Sequence, residues 1–414
     1  MKDEILVNLE NPRQLEQLYR SDTATFRQAF QALYPELKST PGATFWHERL
    51  NYPSPESTLS SGRDLLFVLV AAAIAGTLAK LPVLFSIDEE YFYTRNIGFL
   101  VFPFLAAYFV RKNKLSGQQI GLIGGAMLLA LVYINVLPRY PQSDTLLLAC
   151  GYLQVLLWGL VGYAFVGPKP TSADRRLGYL RYNGDLVVMG AILLLAGGLL
   201  TAVTIGLFSL IGYQIEEFYA QYVVVFGLAA APLVGTYLTQ AIPQVVHKVS
   251  PVIARLFSPL VLVTLVVYLV AILFSGKDPY NDREFLLLFN AVLVGVMALI
   301  FFSVAEGTQS NLHRAEVLVL FLLSVVTVLV NGVALSAILF RVSAWGFTPN
   351  RAAVLGSNIL ILINLLLVTA QLLRVLRRQV PLSEVGKPIS AFLPIYLGWA
   401  AVVAFLFPLL FGFK

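Results

Sequence analysis

The sequence predicts an all-α fold: a polytopic integral membrane helical bundle of about eleven transmembrane helices, with a small helical extension at its N-terminus. Of 414 residues, 58% are hydrophobic and only 13% are charged, and the mean hydropathy is +0.77. A soluble core cannot hide that much apolar surface. In addition, apolar runs of roughly 20 residues, the length that crosses a bilayer, recur between short charged or turn-forming segments.

Residues 1–52 predict a small cytoplasmic unit of three helices. Asn11 before a proline, and Asp22 before a new apolar stripe, are residues that begin helices well. The apolar faces carry aromatic residues that we expect to be partly exposed: Phe26, Phe30 and Trp46. Because so short a chain makes a poor independent core, we expect the unit to rest on the membrane domain or on a cytoplasmic protein partner.

Residues 53–63 predict a flexible linker, because this segment is rich in Pro and Ser. Residues 64–414 then form the multi-span transmembrane domain. Its predicted spans, delimited by charged or turn-forming segments, are 65–87, 97–110, 119–137, 145–167, 186–212, 222–242, 257–275, 285–306, 317–340, 352–373 and 389–413. The second span is short unless residues 91–96 continue its helix, and a re-entrant segment there would reverse the orientation of all later spans.

The distribution of Lys and Arg predicts the orientation. Residues 1–63 hold seven Lys and Arg and eight Asp and Glu, so the net charge of +6 arises in the membrane domain. With the N-terminus inside, the inner loops carry about twice as many Lys and Arg as the outer segments, as the positive-inside rule requires. We therefore predict a multi-pass protein of the cytoplasmic membrane with its N-terminus in the cytoplasm and its C-terminus outside. The basic excess reflects topology, so no nucleic-acid partner is expected.

Several chemistries lack the residues that they need. The three histidines, His47, His247 and His313, lie outside the predicted spans, and His47-Glu48 has no second histidine at the spacing of a zinc protease. The single cysteine, Cys150, has no partner for a disulfide or for a thiolate metal cluster. The phosphate-binding motif G-x-x-x-x-G-K-[ST] and the hydrolase motif G-x-S-x-G are absent. We therefore expect no catalytic residues, no metal site and no cofactor, and a role that is not enzymatic.

Polar residues at membrane depth are the candidate site, because such residues are costly in lipid and usually have a function. Lys80 lies well inside the first predicted span. Its side chain either reaches the outer interface beside the acidic residues 88–90 or forms an ion pair that lines a cavity. The ninth and tenth spans carry three asparagines, Asn331, Asn358 and Asn364. These amides either bond neighbouring helices together or line a binding site.

The segment SAWGFTPNR separates the ninth and tenth spans. Thr348 predicts a helix N-cap and Pro349 the first helical residue. Arg351 then lies in the first turn of the tenth span, where the helix dipole disfavours a cation. We therefore expect Arg351 to bind an acidic side chain or an anion such as a lipid phosphate. A connecting turn with one ion pair is the alternative to a working site.

Acidic candidates for that pairing lie on the same predicted face of the membrane, at Glu216, Glu217 and residues 88–90. Arg95 lies on this face too. We therefore expect a binding site that includes Arg351, Arg95 and Lys80 together with the outer acidic residues and the amides of the ninth and tenth spans.

The starts of spans one, five and nine are about 120–130 residues apart, and an aromatic segment follows each of these spans. This spacing predicts a four-helix unit that is used twice and then truncated. The aromatic belts that mark every membrane interface are the alternative explanation.

Three motifs together resemble a known family. They are the turn WGFTPNR (345–351), the segment TRN (94–96) that leads into a short aromatic span, and RRLGYLRYNGD before the fifth span. They are similar to a bacterial family of polytopic membrane proteins catalogued as domain of unknown function 4153, and the likeness covers most of residues 64–413. The resemblance implies a bacterial cytoplasmic-membrane protein. It implies no activity and no functional residues, because the family has no established activity.

The sequence therefore predicts an integral membrane protein that binds or transports a small solute or a lipid, with membrane lipids around it. The alternative is a membrane scaffold or sensor whose N-terminal helices, within residues 1–52, bind a cytoplasmic protein. Amides deep in the spans favour the first function, and partly exposed aromatic faces in the N-terminal unit favour the second.

Overall fold

The computed structural model describes residues 1–9, 11–38, 40–51, 62–138, 143–168, 170–210, 213–241, 243–274, 283–310 and 312–413. Within these residues the chain forms helices and no strands. It divides into two compact units, Met1–Ser61 and Gly62–Lys414. Eleven segments of the described chain are long and apolar enough to cross a membrane, which confirms the predicted all-α polytopic bundle.

The N-terminal unit contains four short helices: α1 (Lys2–Val7), α2 (Pro12–Ser21), α3 (Thr23–Leu37) and α4 (Pro41–Asn51). The two predicted caps are confirmed. The Asn11 side chain accepts a hydrogen bond of 3.3 Å from the Gln14 amide, and the Asp22 side chain accepts one of 3.0 Å from the Thr25 amide. The sequence did not predict α1, which has no side-chain cap.

The aromatic residues of this unit form its core. Phe26 and Phe30 are 0% exposed and Trp46 is 3% exposed, so the prediction of partly exposed aromatic faces is wrong. The physical reason is that α2, α3 and α4 each have an apolar stripe, and the three stripes face one another around a shared cluster. The unit therefore has a hydrophobic core of its own.

In its described segments the membrane unit contains fifteen further helices, some of which join into one span. They are α5 (Gly62–Ala79), α6 (Leu81–Phe85), α7 (Glu89–Asn96), α8 (Phe102–Lys112), α9 (Gly117–Val136), α10 (Asp144–Val166), α11 (Ala173–Leu210), α12 (Glu216–Phe218), α13 (Val225–Ala241), α14 (Pro243–Phe274), α15 (Arg283–Ser310), α16 (Arg314–Trp345), α17 (Pro349–Leu376), α18 (Gly386–Ala401) and α19 (Phe407–Leu410). Short π-helical segments, Tyr219–Val224 and Val402–Leu406, lie before α13 and after α18.

The first span is shorter than predicted. It covers Gly62–Ala79 instead of 65–87, and Lys80 lies just beyond it as the N-cap residue of α6. Pro82 explains the break, because a proline has no amide hydrogen to continue the i→i−4 ladder of the preceding helix. Lys80 is therefore outside the first span and at a joint between two helices.

The second span is longer than its apolar run. Residues 89–96 form α7, a 3₁₀ turn covers Ile97–Leu100, and α8 completes a candidate span of Glu89–Lys112. Of the two possibilities that the sequence left open, the structure has the one in which residues 91–96 are helical and extend the span, with a 3₁₀ turn between the two helices. Arg95 consequently lies inside a candidate span and not in an outer loop.

The membrane unit has two main hydrophobic clusters. In the first bundle, α5, α8, α9, α10 and α13 pack around buried residues such as Phe109, Leu153 and Leu233. In the second bundle, α14, α15, α16 and α17 pack around residues such as Leu293 and Leu365. The helices α11 and α18 contact both bundles, so the space beside these two helices is where the bundles meet.

Helix packing does not follow the predicted four-helix repeat. The second span packs closely on the fourth through α8 and α10. The equivalent helices of a repeat would be α13 and α15, and in the part of the chain that the structure describes these two are not packed neighbours. For this pair of spans, the regular spacing of the span starts is not matched by a repeated helix contact.

Candidate functional site

A cavity of about 1110 Å³ lies where the two bundles meet. Its walls come from α10, α11, α14, α15, α17 and α18. This volume is slightly above the usual range of about 300–1,000 Å³ for small-molecule sites. The cavity is therefore large enough for a whole ligand or for a substantial part of one.

The cavity wall is neutral and mostly apolar. Among the described lining residues there is no Asp, Glu, Lys or Arg. The hydrogen-bonding groups come from a small set of side chains: Tyr152, Gln154, Trp158, Asn183, Ser357, Tyr396 and Trp399. Such a wall suits an uncharged, largely apolar molecule, because a charged group would lie there without compensation.

Two short chains of hydrogen bonds run along this wall. In the first, the hydroxyls of Tyr152 and Ser357 are 2.7 Å apart, and the Trp399 indole donates to the Ser357 hydroxyl over 3.0 Å. In the second, the Trp158 indole donates to the Asn183 side-chain oxygen over 2.8 Å. Since these groups bond to one another, the wall demands few hydrogen bonds from a ligand.

Close backbone approach holds the first chain in place. A Cβ atom on Gly356 would lie 2.1 Å from Cζ2 of Trp399, so only glycine lets the indole pack against α17. On the opposite side of the cavity, a Cβ atom on Gly184 would lie 2.0 Å from Cδ2 of Phe302. Two of the aromatic side chains of the wall are thus held against helix backbones.

The predicted amides form contacts between helices. The Asn331 side chain donates to the Asn358 carbonyl over 3.2 Å, and the Asn358 side chain donates to the Asn290 side-chain oxygen over 2.9 Å. These bonds join α15, α16 and α17. Asn364 is separate from them and donates to the hydroxyl of Tyr396, a cavity-lining residue, over 3.0 Å. Asn364 therefore borders the cavity wall, whereas Asn331 and Asn358 connect the helices behind it.

Arg351 has a different partner from the one predicted. Thr348 caps α17, as expected, by accepting a hydrogen bond from the Arg351 amide. The Arg351 guanidinium donates to the carbonyls of Trp345 and Gly346 over 2.8 and 2.7 Å. These carbonyls end α16 and carry the negative end of its dipole. In the described chain they replace the expected acidic side chain, so the cation is bound by the preceding helix.

Arg95 is buried, with 1% of its surface exposed. Its guanidinium donates to the carbonyls of Ile134 and Leu137 at the end of α9, over 2.9 Å in the case of Leu137, and lies 4.6 Å from the ring centre of Tyr91. A helix end and an aromatic face thus stabilise this charge inside a candidate span. Arg95 fixes α7 to α9 and does not line the large cavity.

Lys80 and the two glutamates complete the predicted set. The Lys80 ammonium lies 4.8 Å from the ring centre of Tyr222, and the residue is 8% exposed. Glu216 and Glu217 are exposed at α12, and Glu217 accepts a hydrogen bond from Gln221. Within the described residues, Lys80 has no acidic side chain at ion-pair distance. Among the described residues, no ion pair joins Lys80, Arg95 or Arg351 to the two glutamates.

The sequence did not identify the aromatic wall of the cavity. A signal was present, because Trp158, Tyr152, Trp399 and Tyr396 lie in the middle of spans, whereas aromatic belts occupy the interfaces. Tyr and Trp at membrane depth need a partner for the hydroxyl or indole hydrogen. Such side chains point to a polar wall inside the bundle, although their convergence requires the fold.

A buried ion pair lies close to the second bundle. The Arg181 guanidinium of α11 is 3.1 Å from a Glu306 carboxylate oxygen of α15, and Glu306 is 5% exposed. Glu306 also borders a separate cavity of about 210 Å³. The pair joins α11 to α15 and so helps to set the width of the space between the bundles.

The described residues contain no group of three or more His, Cys, Asp or Glu that could hold a metal ion. Comparisons with models of protein families, with curated proteins and with solved structures find no match for this chain.

Proposed function

We propose that this integral membrane protein binds a lipid or a lipid-like molecule in the cavity between its two bundles. The observation that supports the proposal is a cavity of about 1110 Å³ whose described wall has no charged residue and whose polar groups bond to one another. A polar solute would need donors and acceptors that this wall does not offer freely. An acyl or isoprenoid chain needs none.

The position of α11 supplies a route from the bilayer. The buried residues of this helix all lie between Leu177 and Val188, and none of the described residues after Val188 is buried. The cavity wall includes Ala191, Ile192 and Leu195 from that unburied part. The cavity is therefore bordered by a stretch of helix that is open to the surroundings of the bundle, and the route that we propose for a lipid is sideways past this stretch.

The hydrogen-bonding groups of the wall provide selectivity. An apolar chain gains little when it moves from lipid to an apolar wall, because both surroundings are equally apolar. Preference must then come from shape and from the few polar contacts near Tyr152, Ser357 and Asn183. We expect a ligand with one or two uncharged polar groups, such as hydroxyls or ester carbonyls, beside its apolar chain.

The setting proposed for this function is a bacterial cytoplasmic membrane, with the N-terminus in the cytoplasm and the C-terminus outside. The distribution of Lys and Arg supports the orientation, and the resemblance to domain of unknown function 4153 supports the bacterial source. The alternative role as a scaffold stays a prediction. Its sequence argument is weaker, because the aromatic residues of the N-terminal unit are buried.

Two glycine variants test the proposal. Gly295 lines the cavity and a Cβ atom there would meet no atom within 4 Å, so Gly295→Leu adds a side chain at a lining position where the first carbon has room. A Cβ atom on Gly190 would also meet no atom within 4 Å, but Gly190 does not line the cavity. Gly190→Leu is therefore the matched control. Lipids extracted from the purified proteins are counted by mass spectrometry.

We expect the Gly295→Leu protein to lose a lipid or lipid-like molecule that the wild type and the Gly190→Leu protein retain. Equal retention by all three proteins, with all three folded and monodisperse, would show that the cavity holds no such molecule. The proposed function would then be abandoned.

A further inference from the structure

A third cavity, intermediate in size between the two described above, forms a groove between α8 and α9. Its volume is about 550 Å³. The walls are apolar side chains, such as Phe104 and Val110 of α8 and Met127 and Leu128 of α9, and Asn96 is the only polar lining residue among those described. Asn96 is already bonded in both directions to Asn135, over 3.1 and 2.8 Å. The groove therefore presents only apolar surface to an occupant.

The turn that connects α8 to α9 closes one end of the groove. Val110, at the end of α8, and Ile120, at the start of α9, both line the groove. Residues 113–116 join these two walls, and the basic residues Arg111, Lys112 and Lys114 lie at this end. An apolar groove that ends at basic residues is complementary to an anionic lipid, in both tail and headgroup.

Two of these cations already have partners within the protein. Arg111 forms an ion pair of 2.9 Å with Asp64, and the Lys112 ammonium donates to the Gln240 side chain. Lys114 is exposed, and no described acidic residue lies at ion-pair distance from it. Lys114 is thus the cation of this turn that is available to a ligand.

The backbone of Lys114 is unusual for a lysine. Its φ is +49°, in the left-handed region that favours glycine. The amide of Leu115 donates to the Val110 carbonyl over 3.1 Å, and the amide of Lys114 donates to the Arg111 carbonyl over 3.3 Å. This is the Schellman helix end, in which glycine is the usual residue at the left-handed position. A lysine at that position keeps a positive charge at the mouth of the groove despite an unfavourable backbone.

We propose that the groove holds one acyl chain of an anionic phospholipid, and that Lys114 binds the phosphate of its headgroup. The site is separate from the cavity between the bundles and does not depend on the function proposed for that cavity. The lipid fills a gap between α8 and α9 that the side chains of the protein leave open.

Three variants of the full-length protein test this site. Gly124 lines the groove and a Cβ atom there would meet nothing within 4 Å, so Gly124→Leu fills the groove. Gly121, one turn earlier in α9, is equally open but does not line the groove, and Gly121→Leu is the matched control. Lys114→Gly removes the charge and places the favoured residue at the left-handed position, so the turn is preserved.

The delipidated proteins are incubated with equal amounts of dioleoylphosphatidylglycerol and dioleoylphosphatidylcholine, and bound lipids are counted by native mass spectrometry. We expect Gly124→Leu to lose one bound lipid relative to the wild type and to Gly121→Leu. We expect Lys114→Gly to lower the preference for phosphatidylglycerol over phosphatidylcholine about fivefold, the factor typical of one lysine at a membrane surface.

Retention of the lipid by Gly124→Leu, at the level of Gly121→Leu, would overturn the groove as the binding site. An unchanged preference in Lys114→Gly would overturn the role of that lysine. If Gly124→Leu does not fold, Leu128→Trp fills the groove from an exposed lining position and takes its place. Neither glycine of this pair lines the cavity between the bundles, so the comparison does not depend on lipid bound there.

Discussion

Gly356→Ala tests the packing that positions the cavity wall. The new methyl carbon would lie 2.1, 2.4 and 2.7 Å from three ring atoms of Trp399. The indole has little room to move, because it also donates to Ser357 and packs edge-on against Phe407 at 5.9 Å between ring centres. The substitution must therefore displace the ring or separate α17 from α18.

The size of the effect follows from three contributions. Overpacking costs about 1–3 kcal/mol, and loss of the hydrogen bond from Trp399 to Ser357 costs about 1 kcal/mol. The gain in helix propensity from glycine to alanine returns up to about 1 kcal/mol. The Gly356→Ala protein should thus be less stable than the wild type by about 1–3 kcal/mol.

The assay is the free energy of unfolding in mixed micelles, measured by titration with sodium dodecyl sulfate. Gly398→Ala is the control, because Gly398 precedes the same tryptophan in α18 and a Cβ atom there would meet nothing within 4 Å. We expect the control to match the wild type or to gain up to about 1 kcal/mol. If the Gly356→Ala protein is as stable as the Gly398→Ala protein, the result would contradict the close packing of Trp399 against α17.

Three further predictions concern other contacts of the structure. Asn358→Ala should lower the free energy of unfolding by about 1 kcal/mol, the usual value of an interhelical hydrogen bond in a membrane, because the bond to Asn290 is lost. Glu306→Gln should lower it by about 1–3 kcal/mol, since the charge-assisted contact between Arg181 and the Glu306 carboxylate is lost. A hydrogen bond from Arg20 lowers the pKa of Glu16; the stability that this gives to the N-terminal unit is present above the unfolded-state pKa and is lost as the pH falls through the folded-state pKa. In the Glu16→Gln protein, residues 1–61 should therefore be less protected from proteolysis at neutral pH than in the wild type. Their protection should also change less when the pH is lowered.

Each of these three has its own control. Thr264→Ala removes a hydroxyl that bonds only within α14, so it should change stability less than Asn358→Ala does; an equal change would contradict the interhelical role of Asn358. A double variant, Glu306→Gln with Arg181→Met, should be more stable than Glu306→Gln alone, and additive losses would contradict the ion pair. If the Glu16→Gln protein and the wild type lose protection identically between neutral and acidic pH, the contact with Arg20 does not stabilise the unit.

The spans and caps could be predicted because they depend on local properties of the chain. Hydrophobic length fixed the number of spans at eleven, and Asn11, Asp22 and Thr348 cap their helices as expected. The helix break at Lys80 also has a local cause. The sequence did not predict it, because apolar residues continue after Pro82 and the predicted span was drawn through them. The number and type of elements thus followed from composition and turn chemistry.

The site could not be predicted in the same way, because it depends on which helices meet. Arg351 was expected to bind an acidic side chain or an anion, and Arg95 was expected to belong to the same site, yet both bind the carbonyls at the end of another helix segment. Every residue has a backbone carbonyl, so the sequence does not indicate which carbonyls will bind a cation. The wall around Tyr152 and Trp399 draws on α10 and α18, which are about 240 residues apart in the chain and converge only in the folded bundle.

Quenching of a single tryptophan tests the central claim most directly. Trp46, Trp158 and Trp345 are replaced by phenylalanine, so that Trp399 of the cavity wall remains the only indole. The protein is reconstituted with phosphatidylcholine that carries bromine on its acyl chains, and fluorescence is compared with and without Gly295→Leu or Gly190→Leu. A chain in the cavity predicts strong quenching that Gly295→Leu reduces and Gly190→Leu does not. Equal quenching with either substitution would contradict a lipid chain in the cavity.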